Sequence, residues 1–372
     1  MKTNQNDNFK IVNAENITSP QLVVYADIVK RNVQHLIGLF EHLGQLRPHV
    51  KTNKCPQVVQ IMMDAGILKF KCSTIAEAEM LALIDAPDVL LAYQPVGPNI
   101  ERYVKLVTKY PKTRFSCLID NINTTVQIEF AAQKFGVKVN VFVDLNVGMN
   151  RTGLSDKQQI YSLFKHCETL NSVTVAGLHA YDGHLVDNNE QLRLEKASQC
   201  FAYVNNLTKE LAAAGFKNLL IVAGSTPTLK YYAAQPEVEC CPGTFIYWDE
   251  HYQQSFPELP FETAAILLTR VISKPSIDAV CLDCGYKALA SEGALTERVK
   301  FLGQPQYEII SESEEHLVLS MKGNTLIPGD YIIGVPYHIG RTNHLYDQCA
   351  VVSDGKFTGY WSISARSRRL AV

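Results

Sequence analysis

What the 372-residue chain lacks narrows its function first. No apolar stretch is long enough to cross a bilayer: runs such as 219–223 and 264–268 stop after five residues, whereas a spanning helix needs about 20. A membrane is therefore not expected as a partner. An excess of either charge is also missing, with 35 Lys plus Arg against 37 Asp plus Glu and a formal net charge of -2. With no block of like charge, nucleic acid and anionic membranes are not expected as main partners. The first eleven residues, MKTNQNDNFKI, have no apolar middle of the signal-peptide kind, so the expected location is the cytoplasm. A spaced disulfide framework is absent too. Ten cysteines are scattered and include the adjacent pair Cys240 and Cys241, which reads as reduced thiols. The lone CxxC of Cys281 and Cys284 lies in an apolar run with no second pair to complete a zinc site, so packing is its expected role.

What the chain does have is core-forming material. At 47% hydrophobic and 19% charged it can bury one large core or two ordinary ones. Short β-type runs alternate with longer stretches of helical spacing or length, and eight such units can be counted. The strand candidates are 46–51, 69–72, 88–93, 114–119, 138–144, 174–179, 218–223 and 238–241. Helix candidates include 74–84, 100–110, 123–135, 156–170 and 190–214, with Ser73-Thr74 and Ser155-Asp156 as caps. This α/β pattern predicts a (β/α)8 TIM-type barrel of roughly 250 residues. From about Phe261 onward helical spacing gives way to strand-like runs (AAILLTRVIS, AVCLDCGY, QYEIIS, HLVLSM, DYIIGVPYH, CAVVSDGKFTGYWSIS), with SDG as a hairpin turn. The expected division is a barrel over 27–255 and a β-rich C-terminal domain over 256–372. Segment 1–26, which contains the run 21–26, joins the β domain.

Chemistry in such barrels gathers where strands end. Small residues and hydroxyls follow the seventh and eighth strands: Gly224, Ser225 and Thr226, then Gly243 and Thr244. Glycine lets the backbone approach an anion while N–H groups and hydroxyls donate to it, so two such loops on consecutive strands predict a phosphate site. Lys51 ends the first strand candidate. A lysine walled by a barrel can lose its proton and form a Schiff base, whereas nearby Lys54 is expected on the surface. A phosphate-anchored cofactor held by a lysine points to pyridoxal 5'-phosphate. Arg151 is placed to donate to its phenolic oxygen or ring.

The segments RPHVKTNK (47–54), VGMNRTG (147–153), GLHAYDGH (177–184), AGSTPT (223–228), CPGTFIYWD (241–249), DCGYKALASEG (283–293), SEEH (313–316) and PYHIGRTNHLYD (336–347) carry a resemblance that runs through nearly the whole chain. The chain resembles the fold-type III pyridoxal phosphate enzymes, within them the D-threonine aldolase and D-serine dehydratase family. The resemblance implies that Lys51 holds the cofactor, that Gly224, Ser225, Thr226, Gly243 and Thr244 bind its phosphate, and that Arg151 contacts the phenolic oxygen. Tyr181 is placed near the ring nitrogen, while Gln94 and His179 border the substrate pocket. It also implies a homodimer and an amino-acid substrate.

The sequence departs from the family pattern at one place. A His-x-Cys or His-x-Asp pair in the β domain of these enzymes binds a divalent metal, and here the positions are His338-Ile339-Gly340. Glycine brings no ligand, so either His344, Asp347 or Glu315 substitutes or the metal is lost; without it, His338 acts directly as acid or base. The leading expectation is a lyase of D-β-hydroxy-α-amino acids, cleaving them to glycine and an aldehyde, with dehydration as the close variant. The alternatives are a racemase or epimerase of the same fold, which needs no metal, and a non-catalytic pyridoxal phosphate carrier.

Overall fold

The first strand, β1 (Gln21–Tyr25), lies apart in sequence from the seven that follow it and form a single parallel sheet. These are β2 (Lys69–Cys72), β3 (Asp88–Leu91), β4 (Arg114–Ile119), β5 (Val139–Asp144), β6 (Val173–Ala180), β7 (Leu220–Ala223) and β8 (Val238–Cys240), paired in chain order. The computed structural model describes residues 9–304 and 307–372, so 1–8 of the polar N-terminal segment and Gln306 of the expected run 306–311 lie outside the described residues. The described chain forms two compact units. One joins the residues before Leu36 to Thr244–Arg366, and the other joins Leu36–Gly243 to Ser367–Val372.

In the second of these units, the sheet curls until β8 and β2 meet the same segment. Leu46 bridges to Cys240 and His49 to Lys71, with Arg47 N donating to Cys240 O, His49 N to Pro242 O and Lys71 N to Pro48 O. The first strand candidate, 46–51, is thus reduced to this bridging stretch. It ends at His49, whose Nδ1 accepts the Lys51 N–H at 3.2 Å, and the chain turns into a 3-10 turn at Val50–Thr52. The helix starts follow side-chain capping: Thr74 Oγ1 accepts from Glu77 N, Asn121 Oδ1 from Thr124 N and Asp156 Oδ1 from Gln159 N.

Inward positions alternate along each strand and stack in layers. Near the N-terminal ends the layer is ionic. The Arg47 guanidinium, 1% exposed, meets Asp88 at 2.6 Å and Glu239 at 2.7 Å, and Lys69 meets Glu239 at 2.5 Å. Above it Leu90, Leu118, Phe142, Val222 and Cys241 pack together. Replacing Arg47 with methionine leaves Asp88 and the Arg47-facing oxygen of Glu239 without their cation. The expected loss is about 3–5 kcal/mol, read as a lower urea midpoint at unchanged slope. A midpoint equal to that of the wild type would mean that the ionic layer contributes nothing net.

In the other unit, β1 pairs antiparallel with β9 (Ala265–Ser276) and parallel with β15 (Gln348–Ser353). The sheet is completed by β10 (Ala279–Leu282), β11 (Val299–Phe301), β12 (Glu308–Glu312), β13 (Leu317–Ser320), β14 (Tyr331–Pro336) and β16 (Lys356–Ser362). Leu267, Val280, Leu282, Cys284, Phe301, Leu317 and Leu319 share its core. Cys284 is therefore a packing residue, its thiol pushed up to about 12 by burial. The β15–β16 hairpin turns at Asp354-Gly355, both with positive φ, as a type I′ turn requires. Among the described residues no helix is long and apolar enough to cross a membrane.

Candidate active site

Three cations gather around one phenol at the C-terminal face of the barrel. Lys51 Nζ lies 5.7 Å from the centre of the Tyr181 ring, the Arg151 guanidinium carbon 5.2 Å, and Lys71 Nζ 5.0 Å. Each arrives by a different local device. Lys51 projects from the turn that His49 caps and is exposed as a residue. Desolvation of its amine, with the Arg151 charge adding, lowers its pKa, the direction a nucleophilic amine needs.

Arg151 rides on a loop folded around Asn146, whose Oδ1 accepts from Gly148 N and Asn150 N at 3.1 and 3.0 Å. The loop is closed by Gly153, at φ +91 and too close to the Leu145 carbonyl carbon for a Cβ, whose N–H reaches Asp120 Oδ2 at 3.3 Å. Gln94 braces the same loop from behind. Its amide donates to Asp120 Oδ1 at 2.9 Å and accepts from Asp120 N and Asn121 Nδ2, both at 3.1 Å. The geometry thus ties Gln94 to the Asp120 loop.

His179, inward on β6, is buried with Nδ1 2.6 Å from Asp144 Oδ1. A contact that short to a carboxylate puts the ring proton on Nδ1 and leaves a lone pair on Nε2, which is buried without a hydrogen-bond partner. Burial first, and the Lys71 charge next, lower the pKa of His179 against the pull of Asp144, so the imidazole is neutral near pH 7.

The loops after β7 and β8 are joined by Gly243 N, which donates to Thr226 Oγ1 at 3.0 Å, while Ser225 N donates to Thr228 Oγ1 at 3.1 Å. Gly224 has φ +82, and a Cβ there would stand 2.6 Å from Tyr232 Cδ2. Only glycine gives this close approach. Thr244 follows Gly243 directly and opens a buried 3-10 turn. Beneath the loops Asp182 faces the hydroxyls of Thr228, Ser225 and Tyr232. Burial outweighs them and raises its pKa.

One sequence expectation about these residues needs correction. Lys54 is not a surface lysine: it is 8% exposed, at φ +50, and its ammonium contacts Glu77, which also accepts from Ser73 N. It anchors the chain just after Lys51. Lys71 and Asp144 went unnoticed among the site residues. The one signal for Lys71 was a pair of lysines two apart in a four-residue strand, KFKC, which sets both on one face.

His338 belongs to the β-rich unit, where it caps the short helix Ile339–Asn343 with Nδ1 3.4 Å from Arg341 N. Its Nε2 stands 3.9 Å from Glu292 Oε2, which Arg341 Nε contacts at 2.9 Å. Burial lowers the His338 pKa, with Glu292 opposing. Asp249, its carboxyl raised to about 7 by burial, fixes the start of the same helix by accepting from Ile339 N at 3.0 Å. The donor set does not fit a divalent metal. Gly340 has no ligand to offer, Asp347 pairs with Arg366, and Glu315 lies 3.9 Å from Lys287. Among the described residues no three His, Cys, Asp or Glu side chains converge on one point.

A parallel barrel with an activated lysine, an arginine and glycine-hydroxyl loops at its C-terminal face, plus a separate β-rich unit, defines an alanine racemase-like fold. The alanine racemase N-terminal domain family matches residues 24–251, and the chain belongs to it. A serine dehydratase domain family matches 264–352. The chain is 28% identical to a D-threonine aldolase of Arthrobacter sp over 94% of its own length and 93% of the relative's. It is 26% identical to a 3-hydroxy-D-aspartate aldolase of Paracoccus denitrificans over 95% and 93%. The crystal structure of a D-threonine aldolase from Filomicrobium marinum superposes with a TM-score of 0.84 at 24% identity, covering 94% of this chain and 95% of that one.

Proposed function

We propose that the protein is a pyridoxal phosphate-dependent lyase that cleaves D-β-hydroxy-α-amino acids to glycine and an aldehyde. The observation that carries this reading is the convergence of Lys51 and Arg151 on the Tyr181 ring, in a chain matched along almost its whole length by aldolases of D-amino acids. When bound, the cofactor supplies an electron sink for the bond that breaks at the α-carbon.

The residues of this chain divide the remaining work. Lys51, with its lowered pKa, provides the amine that holds the cofactor and is released to substrate. The loops with Gly224, Ser225 and Thr226, and with Gly243 and Thr244, donate to its phosphate, and Arg151 donates to the phenolic oxygen. His179 is held by Asp144 at Nδ1, which leaves its buried Nε2 as an acceptor without a protein partner. His338 takes the proton from the substrate's β-hydroxyl as the Cα–Cβ bond breaks, and the Glu292 carboxylate stabilises the imidazolium that results. Because the donors around His338 do not fit a divalent cation, no step is assigned to one. The reading includes a homodimer, supported by the family resemblance.

The deciding experiment incubates the cofactor-loaded protein with D-threonine, with and without a chelator. Glycine and acetaldehyde are expected in equal amounts, unchanged by chelator. Formation of 2-oxobutyrate and ammonia would make it a dehydratase. The absence of a ligand at Gly340 favours a racemase as the second reading, and exchange of the α-proton in deuterated water without loss of substrate would establish it.

A further inference from the structure

We propose that Lys71 is a second functional lysine of the barrel, whose ammonium donates to the ring nitrogen of bound pyridoxal phosphate and keeps that nitrogen unprotonated. The proposal rests on the cofactor reading above and extends it to a residue that the resemblance did not point to.

The starting observation is an ammonium buried without a counter-charge. Lys71 is 2% exposed on the inner face of β2. Arg47, Lys69 and Lys54 of this unit each meet a carboxylate, Arg47 at Asp88 and Glu239, Lys69 at Glu239 and Lys54 at Glu77, while the buried Arg193 donates to the Pro227 and Asp187 carbonyls. Among the described residues no carboxylate lies within ion-pair distance of Lys71. The acids in the neighbourhood are committed, Asp144 to His179 and Glu77 to Lys54. What Lys71 faces is the Tyr181 ring at 5.0 Å. Its charge also reaches His179, His49 and Cys241, and it disfavours the protonated form of both histidines.

A buried cation that loses its hydration and gains no anion costs several kcal/mol. Such a residue is accounted for when a ligand completes its shell, and the partners already assigned leave one group of the cofactor for it. The phosphate goes to the loops after β7 and β8, the aldehyde carbon to Lys51 and the phenolic oxygen to Arg151. The pyridine nitrogen remains. The family resemblance implies that Tyr181 lies near that nitrogen, and Lys71 stands over the Tyr181 ring. An ammonium can only donate, so it matches the nitrogen lone pair and repels a proton there by like charge.

The test reads the nitrogen itself. Cofactor labelled with nitrogen-15 in the ring is loaded into the wild type, Lys71→Met and Lys71→Arg, and the ring nitrogen shift is measured by NMR. The wild type is expected to give the shift of an unprotonated, hydrogen-bonded pyridine. Lys71→Arg should keep that shift, and Lys71→Met should move away from it. A protonated-pyridine shift in the wild type overturns the proposal whether or not the methionine variant folds, as does an identical shift in the wild type and Lys71→Met. Failure of the wild type to hold any labelled cofactor would instead overturn the cofactor reading on which the proposal stands.

Discussion

Lys51→Ala is expected to lower turnover of D-threonine by on the order of 10⁴-fold, because it removes the group through which the cofactor is held and exchanged. The substitution should leave the fold intact. The turn at Val50–Thr52 is set by backbone groups and by the His49 ring, and the chain beyond it is pinned by Lys54 on Glu77. Borohydride treatment followed by peptide mapping provides the second readout. Label on the peptide that contains Lys51 is expected in the wild type and none there in Lys51→Ala. Wild-type turnover in the variant would move the attachment to another amine, and Lys71 is the other lysine at the Tyr181 ring.

His338→Ala is expected to lower kcat by roughly 10²- to 10⁴-fold while the visible absorption of the bound cofactor is retained. The physical case is local. Burial keeps the imidazole neutral, so it has a lone pair to give. The long 3.4 Å contact with Arg341 N is weak enough to yield to a substrate hydroxyl, and Glu292 stands 3.9 Å from the other ring nitrogen to balance the charge that develops. Loss of this base should slow the cleavage of D-threonine far more than exchange of the α-proton of D-alanine, which has no β-hydroxyl. Equal effects on the two reactions would reassign His338 to packing of the Ile339–Asn343 helix.

Much of the barrel was legible because it is written in short periods. Seven of the strand candidates appear within a few residues of their expected bounds, and Thr74 and Asp156 cap the helices that their positions imply. The β-rich unit was legible for the same reason, down to the positive-φ pair in the SDG turn. The first strand candidate was overestimated. It stops at His49 because an imidazole captures the Lys51 N–H, a choice that alternation of apolar residues does not encode.

The grouping of Lys51, Arg151 and Tyr181 rested on motifs at strand ends, where a barrel collects its chemistry. The burial of Lys54 and the roles of Lys71 and Asp144 had no such signal. Each depends on a partner from another strand or helix: Glu77 for Lys54, Tyr181 for Lys71, His179 for Asp144. The sequence by itself determined the alternating elements, the glycine and hydroxyl loops and the missing ligand at Gly340, since these follow from local spacing and residue type. Only the tertiary structure decided which charges are paired. Closure of the sheet brings β2, β5 and β6 around one buried interior, and there the Lys71 ammonium lies without a carboxylate in ion-pair distance among the described residues.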